Sequence, residues 1–291
     1  MTRILDTIPT FEAYARKAFP QGPLIREILA GEEYHRAYPE VFDSFFSRFT
    51  KEGMRGIVWE LSQVRSRAKE AASVLPAIIE EVEGAARELL DARAVPDPQH
   101  VLMVGSLATN ATVGRIGDDV AVFHCLEWFQ NADAAKTLVA HEDTHALHEA
   151  LLVGERPDDP AWNAFYEGIA IQASRAIAPG RPQEEYFWYG VTGFEDWLPW
   201  CRRNRNELIG RFSSSLDDEA ATEIFFGAGF VEKRWRVGYF IGDLIVAAID
   251  RPLSELVRLG VDEARGEVVT ALKTFAAEAE PESDPITPRS S

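Results

Sequence analysis

The stretch LVAHEDTHALHEALL, residues 138–152, constrains this chain more than any other part of it. Leu138, Val139, Ala140, Ala146, Leu147 and Leu151 give it the apolar content of a buried helix, yet it also carries His141, Glu142, His145, His148 and Glu149. An imidazole or carboxylate buried without a partner is strongly destabilising, so a fold that accepts this helix has to supply partners. At about 100° per residue, His141 and His145 lie about 40° apart on one face with about 6 Å of rise between them, which lets both rings reach one cation. Glu142 projects beside the pair, placed to hold a metal-bound water rather than to ligate. Chance would place a His-acid-x-x-His string somewhere in a chain with 6 histidines and 47 acids about two times in a hundred, so the apolar setting carries as much of the argument as the spacing.

Hydrolytic zinc sites use three protein ligands and keep the fourth position for water, which leaves one ligand to find. Glu167, in FYEGIAIQ, is the expected third ligand: it follows His145 by 22 residues and falls on the next helix. That helix is expected over roughly 160–177, with Asp159 and Pro160 as cap and first turn and Gly180 as its stop. Gly168 and Ala170 are small, which would let it approach the histidine helix closely. His148 lies about 10 Å along the axis from His141, too far to share a cation, and is assigned a supporting or surface position. Glu149 is expected to be solvated, Asp217 and Asp218 to cap a helix, and His35, His100 and His124 to be structural. A hydrogen-bond donor is also expected for the charge that develops on a substrate oxygen. Tyr239, in RWRVGYFIGDLIV between Gly238 and Gly242, is the choice, with Arg236 three residues earlier as the alternative. The aromatic run YFWYG, residues 186–190, reads as core or as the wall of a hydrophobic specificity pocket.

From Phe11 to Leu90 apolar residues recur at helical spacing, punctuated by Pro20, Pro23, Pro39 and Pro76. RAVPDPQ then reads as a linker, and HVLMVGS and DVAVFHCLEWF as short strands separated by a glycine-containing loop. The second strand would offer an edge on which an extended peptide could pair. Further helices are expected around 196–212, 217–227, 232–249 and 253–277. The fold class that follows is mainly α with a small β-sheet: an N-terminal helical region over 1–97, a catalytic region over 98–278 and a disordered tail over 279–291.

Lys+Arg 30 against Asp+Glu 47 leaves a net charge of −17, a field that repels phosphate backbones, so nucleic acid is not expected as a partner. Cys125 and Cys201 offer neither a disulfide framework nor a cysteine zinc cluster. The first residues lack the unbroken apolar run of a signal peptide, and no stretch approaches the ~20 apolar residues of a membrane span. A reducing cytosol is the expected compartment.

At HEDTH and Glu167 the sequence resembles the gluzincin class of zinc metallopeptidases, and within it the bacterial cytosolic families described as predicted zinc-dependent proteases, over about Val101 to Ala178. The resemblance implies a zincin-like core, Zn2+ held by His141, His145 and Glu167, Glu142 as general base, and a peptide or protein substrate. Thermolysin-like enzymes place an aspartate four residues after the glutamate ligand; here that residue is Ile171, so the partners of the histidines come from elsewhere. Two rivals share these residues: a zinc hydrolase acting on a non-peptide amide, and a helical binding protein with a structural zinc.

Overall fold

The computed structural model of the chain describes residues 2–152 and 156–279. Its elements, in order, are β1 (Arg3–Asp6), α1 (Ile8–Ala18), α2 (Pro23–Leu29), α3 (Pro39–Arg48), α4 (Met54–Trp59), α5 (Leu61–Leu89), β2 (Gln99–Met103), β3 (Ala111–Ile116), β4 (Asp119–Cys125), α6 (Ala132–Leu151), α7 (Pro160–Ile177) and α8 (Glu185–Trp188). There follow α9 (Trp197–Arg203), α10 (Arg205–Ser214), α11 (Ala221–Phe225), the hairpin β5 (Phe230–Val231) and β6 (Arg234–Trp235), α12 (Val237–Ala248), α13 (Leu253–Leu256) and α14 (Val261–Ala279). The chain is mainly helical with a small mixed sheet, an α+β protein. No described helix is long and apolar enough to cross a membrane. The expected disordered tail lies outside the described residues, except that residue 279 still belongs to α14.

Two compact units emerge: one from residues up to 156 with 169–195 and 251–259, the other from 157–168, 196–250 and 260 onward. The first holds the sheet, in the order β1-β2-β4-β3, with β1, β2 and β4 parallel and β3 antiparallel to β4. Leu5 pairs with Val101 and Val101 with Phe123, and the central strands β2 and β4 are almost wholly buried, as parallel strands covered by helices are. Two strands escape the sequence reading. β1 draws residues 3–6 out of the expected helical region and into the sheet. β3 occupies the segment read as a loop, where Gly117, at φ +59, opens a two-residue hairpin turn between Ile116 and Asp119.

The strand read as an exposed edge, β4, is interior, and the edges are β1 and β3, with β3 the neighbour of β4. The β3 edge is covered: Ser44 and Arg48 of α3 donate to the outward carbonyls of Arg115 and Val113. A pairing edge blocked in this way does not accept an added strand at those positions.

Helix ends follow the caps where caps exist. Asn131 Oδ1 accepts from Ala134 N at 2.9 Å at the head of α6, and Asp159 Oδ1 accepts from Trp162 N at 2.9 Å at the head of α7. Asp218 does the same for Ala220 N ahead of α11, while Asp217 is 98% exposed and bound to Arg265. Pro76 does not end α5. It sits inside a 29-residue helix whose Ala68, Ala71, Leu75, Ile79 and Val82 are all buried, and this packing outweighs the lost ladder bond. The expected helices 196–212, 232–249 and 253–277 are each shortened or broken, by Asn204, by the β5–β6 hairpin and at Gly260.

In the second unit α7 and α12 touch through their backbones. A Cβ on Gly168 would lie 2.2 Å from Gly242 O, and one on Gly242 would lie 2.3 Å from Ala164 O. Gly168 was expected to admit the histidine helix; the element it admits is α12. Gly242→Ala is therefore expected to destabilise the protein by roughly 1–3 kcal/mol or more, because the obstacle is a carbonyl that no rotamer change removes. Gly84→Ala, in open space on α5, should instead raise stability by about 0.5–1 kcal/mol. Urea melts of both variants check the pair.

Candidate metal centre

α6 carries almost every polar side chain of the motif to the interior. His141 is 2% exposed, Glu142 7%, His145 5%, and Asp143 and His148 are fully buried. The helical spacing brings His141 Nε2 and His145 Nε2 to 3.0 Å, with the two rings at 89°, so both nitrogens converge on one point. Glu167 completes the group: its carboxylate oxygen and the two imidazole nitrogens all lie within 4.8 Å of one another, and Glu167 is buried. Glu167 lies on α7 (Pro160–Ile177).

Two imidazole nitrogens and one carboxylate, buried and convergent, are a donor set that zinc accepts with a position to spare. The expected ligands His141, His145 and Glu167 are thus brought together, and could hold a metal ion. Glu142 follows His141 directly on α6 and stands near enough to Cys125 that its charge, after burial and Glu127, helps push that thiol well up.

Tyr239 opens α12, half-buried, with the Arg236 guanidinium 3.9 Å from its ring centroid and Phe226 at 6.0 Å. Tyr189 packs on the histidines, its ring 5.5 Å from that of His141 at 69°. Tyr189 is 4% exposed and adopts φ 51, ψ 43, a left-handed conformation that costs a non-glycine residue about 1 kcal/mol or more and gathers at functional sites. Gly190 follows at φ +77 and seats this turn against Ala134 of α6. Tyr189 also walls a cavity lined by Leu75, Leu126, Trp128, Phe129 and Leu138, which places the YFWYG run at a pocket as well as in the core.

Behind α6 the sequence hid a second polar cluster. Asp143 has both carboxylate oxygens buried without a hydrogen-bond partner, its Oδ1 3.8 Å from His100 Nδ1, which in turn lies 3.2 Å from His124 Nε2. His100 and His124 come from the central strands β2 and β4, so this cluster sits where α6 meets the sheet. Burial, then the charges of Glu83 and Glu142, raises the Asp143 carboxyl well above its usual range. The signal was available: in HEDTH the aspartate is two residues from each histidine ligand, about 200° around the helix, and so faces the other way. His148 is buried rather than at the surface, and Glu149 pairs with Arg156 at 3.4 Å rather than standing fully solvated.

These buried imidazoles set a pH dependence. Burial, with Lys51 adding, lowers His35 to about 4, and burial, with Arg87 adding, lowers His100 to about 4. Burial also lowers His148 to about 3 and His124 well below its usual value. Their folded values lie below the ~6.5 of an unfolded histidine, so the stability they contribute is complete above pH 6.5 and is lost as pH falls toward 4. Among the groups with a resolved shift, Glu127, raised by burial to about 7, and Asp143 act in the opposite sense over part of that range, against the four imidazoles. The melting temperature of protein kept metal-free with a chelator is expected to fall steadily between pH 6.5 and 4, and a flat or rising profile would refute this.

Comparison with protein-family models, with curated proteins and with solved structures finds no match for this chain.

Proposed function

We propose that the protein is a zinc-dependent hydrolase, a metallopeptidase that cleaves amide bonds with Glu142 as general base. The observation that carries the reading is the convergence of His141 Nε2, His145 Nε2 and the Glu167 carboxylate within 4.8 Å, with Glu142 adjacent on the same buried helix. Zinc bound by these residues would supply a water of lowered pKa and polarise the substrate carbonyl. Glu142 accepts the proton of the attacking water and returns it to the departing nitrogen, with its carboxylate poised for this by its place beside the ligand face. His141, His145 and Glu167 are carried by helices rather than loops.

The peptide as substrate rests on the gluzincin resemblance, not on the sheet, since β4 is interior and the β3 edge is covered. The expected hydrogen-bond donor to the developing oxyanion is Tyr239, with Arg236 as the alternative, and the contact of Tyr189 with His141 makes that phenol a further candidate. Phenylalanine at the true donor should lower kcat by roughly 10- to 1000-fold with zinc retained, and at the other should leave kcat unchanged.

One observation favours a second reading, a structural zinc: His141, His145 and Glu167 are all nearly closed to solvent. Turnover of a broad peptide library by zinc-loaded protein, abolished by a hydroxamate, supports the enzyme. Full zinc occupancy with no hydroxamate-sensitive turnover on peptides or small amides overturns it. The charge of −17 and the absence of a spanning helix among the described residues accord with a cytosolic location away from nucleic acid.

A further inference from the structure

Five large apolar side chains stand in water on the sheet-bearing unit: Phe19 is 56% exposed, Leu24 70%, Ile25 45%, Ile28 47% and Trp59 71%. One arginine gathers them. Arg26 Nε donates to the carbonyls of Ala18 at 3.2 Å and Gln21 at 2.8 Å, Nη2 to that of Phe19 at 2.9 Å, and Nη1 to that of Val58, next to Trp59, at 2.8 Å. The same guanidinium thus ties the end of α1 to the end of α4, and its own helix α2 carries Leu24, Ile25 and Ile28. Tyr14 closes the arrangement by donating to Arg26 O. No residue of α2 is fully buried: Leu29 packs against the core and the polar bonds of Arg26 hold the helix, while Leu24, Ile25 and Ile28 face outward. The exposed area comes to on the order of 600 Å², at the upper end of what a monomer shows in one patch.

We propose that this face joins two copies of the chain about a twofold axis. Two such faces together remove on the order of 1,200 Å² from water, the lower bound of a specific interface. Charge selects the same partner. Around the patch, residues 16–33 and 54–60 hold Arg16, Lys17, Arg26 and Arg55 against Glu27, Glu32, Glu33 and Glu60, a neutral balance in a chain of net charge −17. Two copies repel each other over most of their surface and meet without repulsion here, where the mixed signs also let an isologous contact pair opposite charges. An anionic lipid or a polynucleotide would find no positive excess.

Sedimentation of the full chain across a concentration series tests this. A reversible dimer is expected, with a dissociation constant on the order of micromolar for an interface of this size. Leu24→Glu and Trp59→Glu should each weaken it at least ~10-fold, with the helical circular dichroism and melting temperature unchanged because both side chains are exposed. Phe230→Glu, at an exposed apolar residue of the β5–β6 hairpin, should leave the dimer intact. A wild-type monomer up to ~100 µM, or a dimer that survives both substitutions, overturns the proposal. So does a monomer whose Trp59 fluorescence responds to neutral phosphatidylcholine vesicles and loses that response in Leu24→Glu, which would make the face a lipid surface.

Discussion

Glu142→Gln is expected to keep its zinc and lose turnover by ~10²–10⁴-fold or more. The amide preserves size and hydrogen-bonding reach but cannot take a proton from water, so the loss falls on kcat while the ligands are untouched. Burial sharpens the effect. At 7% exposure, bulk water has little room to substitute for the missing base. Metal analysis beside a turnover assay on the same preparation separates the two roles: a variant that loses zinc makes Glu142 a ligand, and one that keeps normal activity removes the mechanism.

Glu167→Ala is expected to weaken zinc binding by well over the ~10–100-fold typical of losing a residue that merely orients a ligand. Two neutral imidazoles remain in that variant, 3.0 Å apart between their Nε2 atoms, and without the carboxylate they offer the cation neither a third donor nor a compensating charge. Glu167→Gln restores the volume but not the charge and should recover little of the affinity. A competition titration against a zinc chelator measures both. Wild-type affinity in Glu167→Ala would mean that the third ligand is another residue.

The parts of this account that were legible in the sequence are the ones with local causes. The convergence of His141 with His145 follows from four residues of helix, and the span of α7 follows from Asp159, Pro160 and the Gly180 stop, observed as Pro160–Ile177. What the sequence concealed depends on distant partners. β1 is four residues whose pairing partner, β2, begins at Gln99, so nothing near Arg3 announces a strand. β3 alternates weakly, and its hairpin turns on Gly117 followed by an aspartate, a cue outweighed by the glycine at 114 inside the strand. Gly168 was correctly read as a point of close approach, but smallness names no partner, and that partner proved to be Gly242 on α12. Asp143 and Tyr189 escaped for the same reason: their significance lies in His100, His124 and His141, which only the fold sets beside them.

X-ray absorption at the zinc edge of the purified, zinc-loaded protein reads the ligand set itself. One zinc per chain is expected, with nitrogen and oxygen neighbours at about 2.0–2.2 Å and the outer-shell signature of two imidazoles. Sulfur scattering near 2.3 Å would contradict it by pointing to Cys125 or Cys201, as would zinc whose spectrum is unchanged in His141→Ala and His145→Ala.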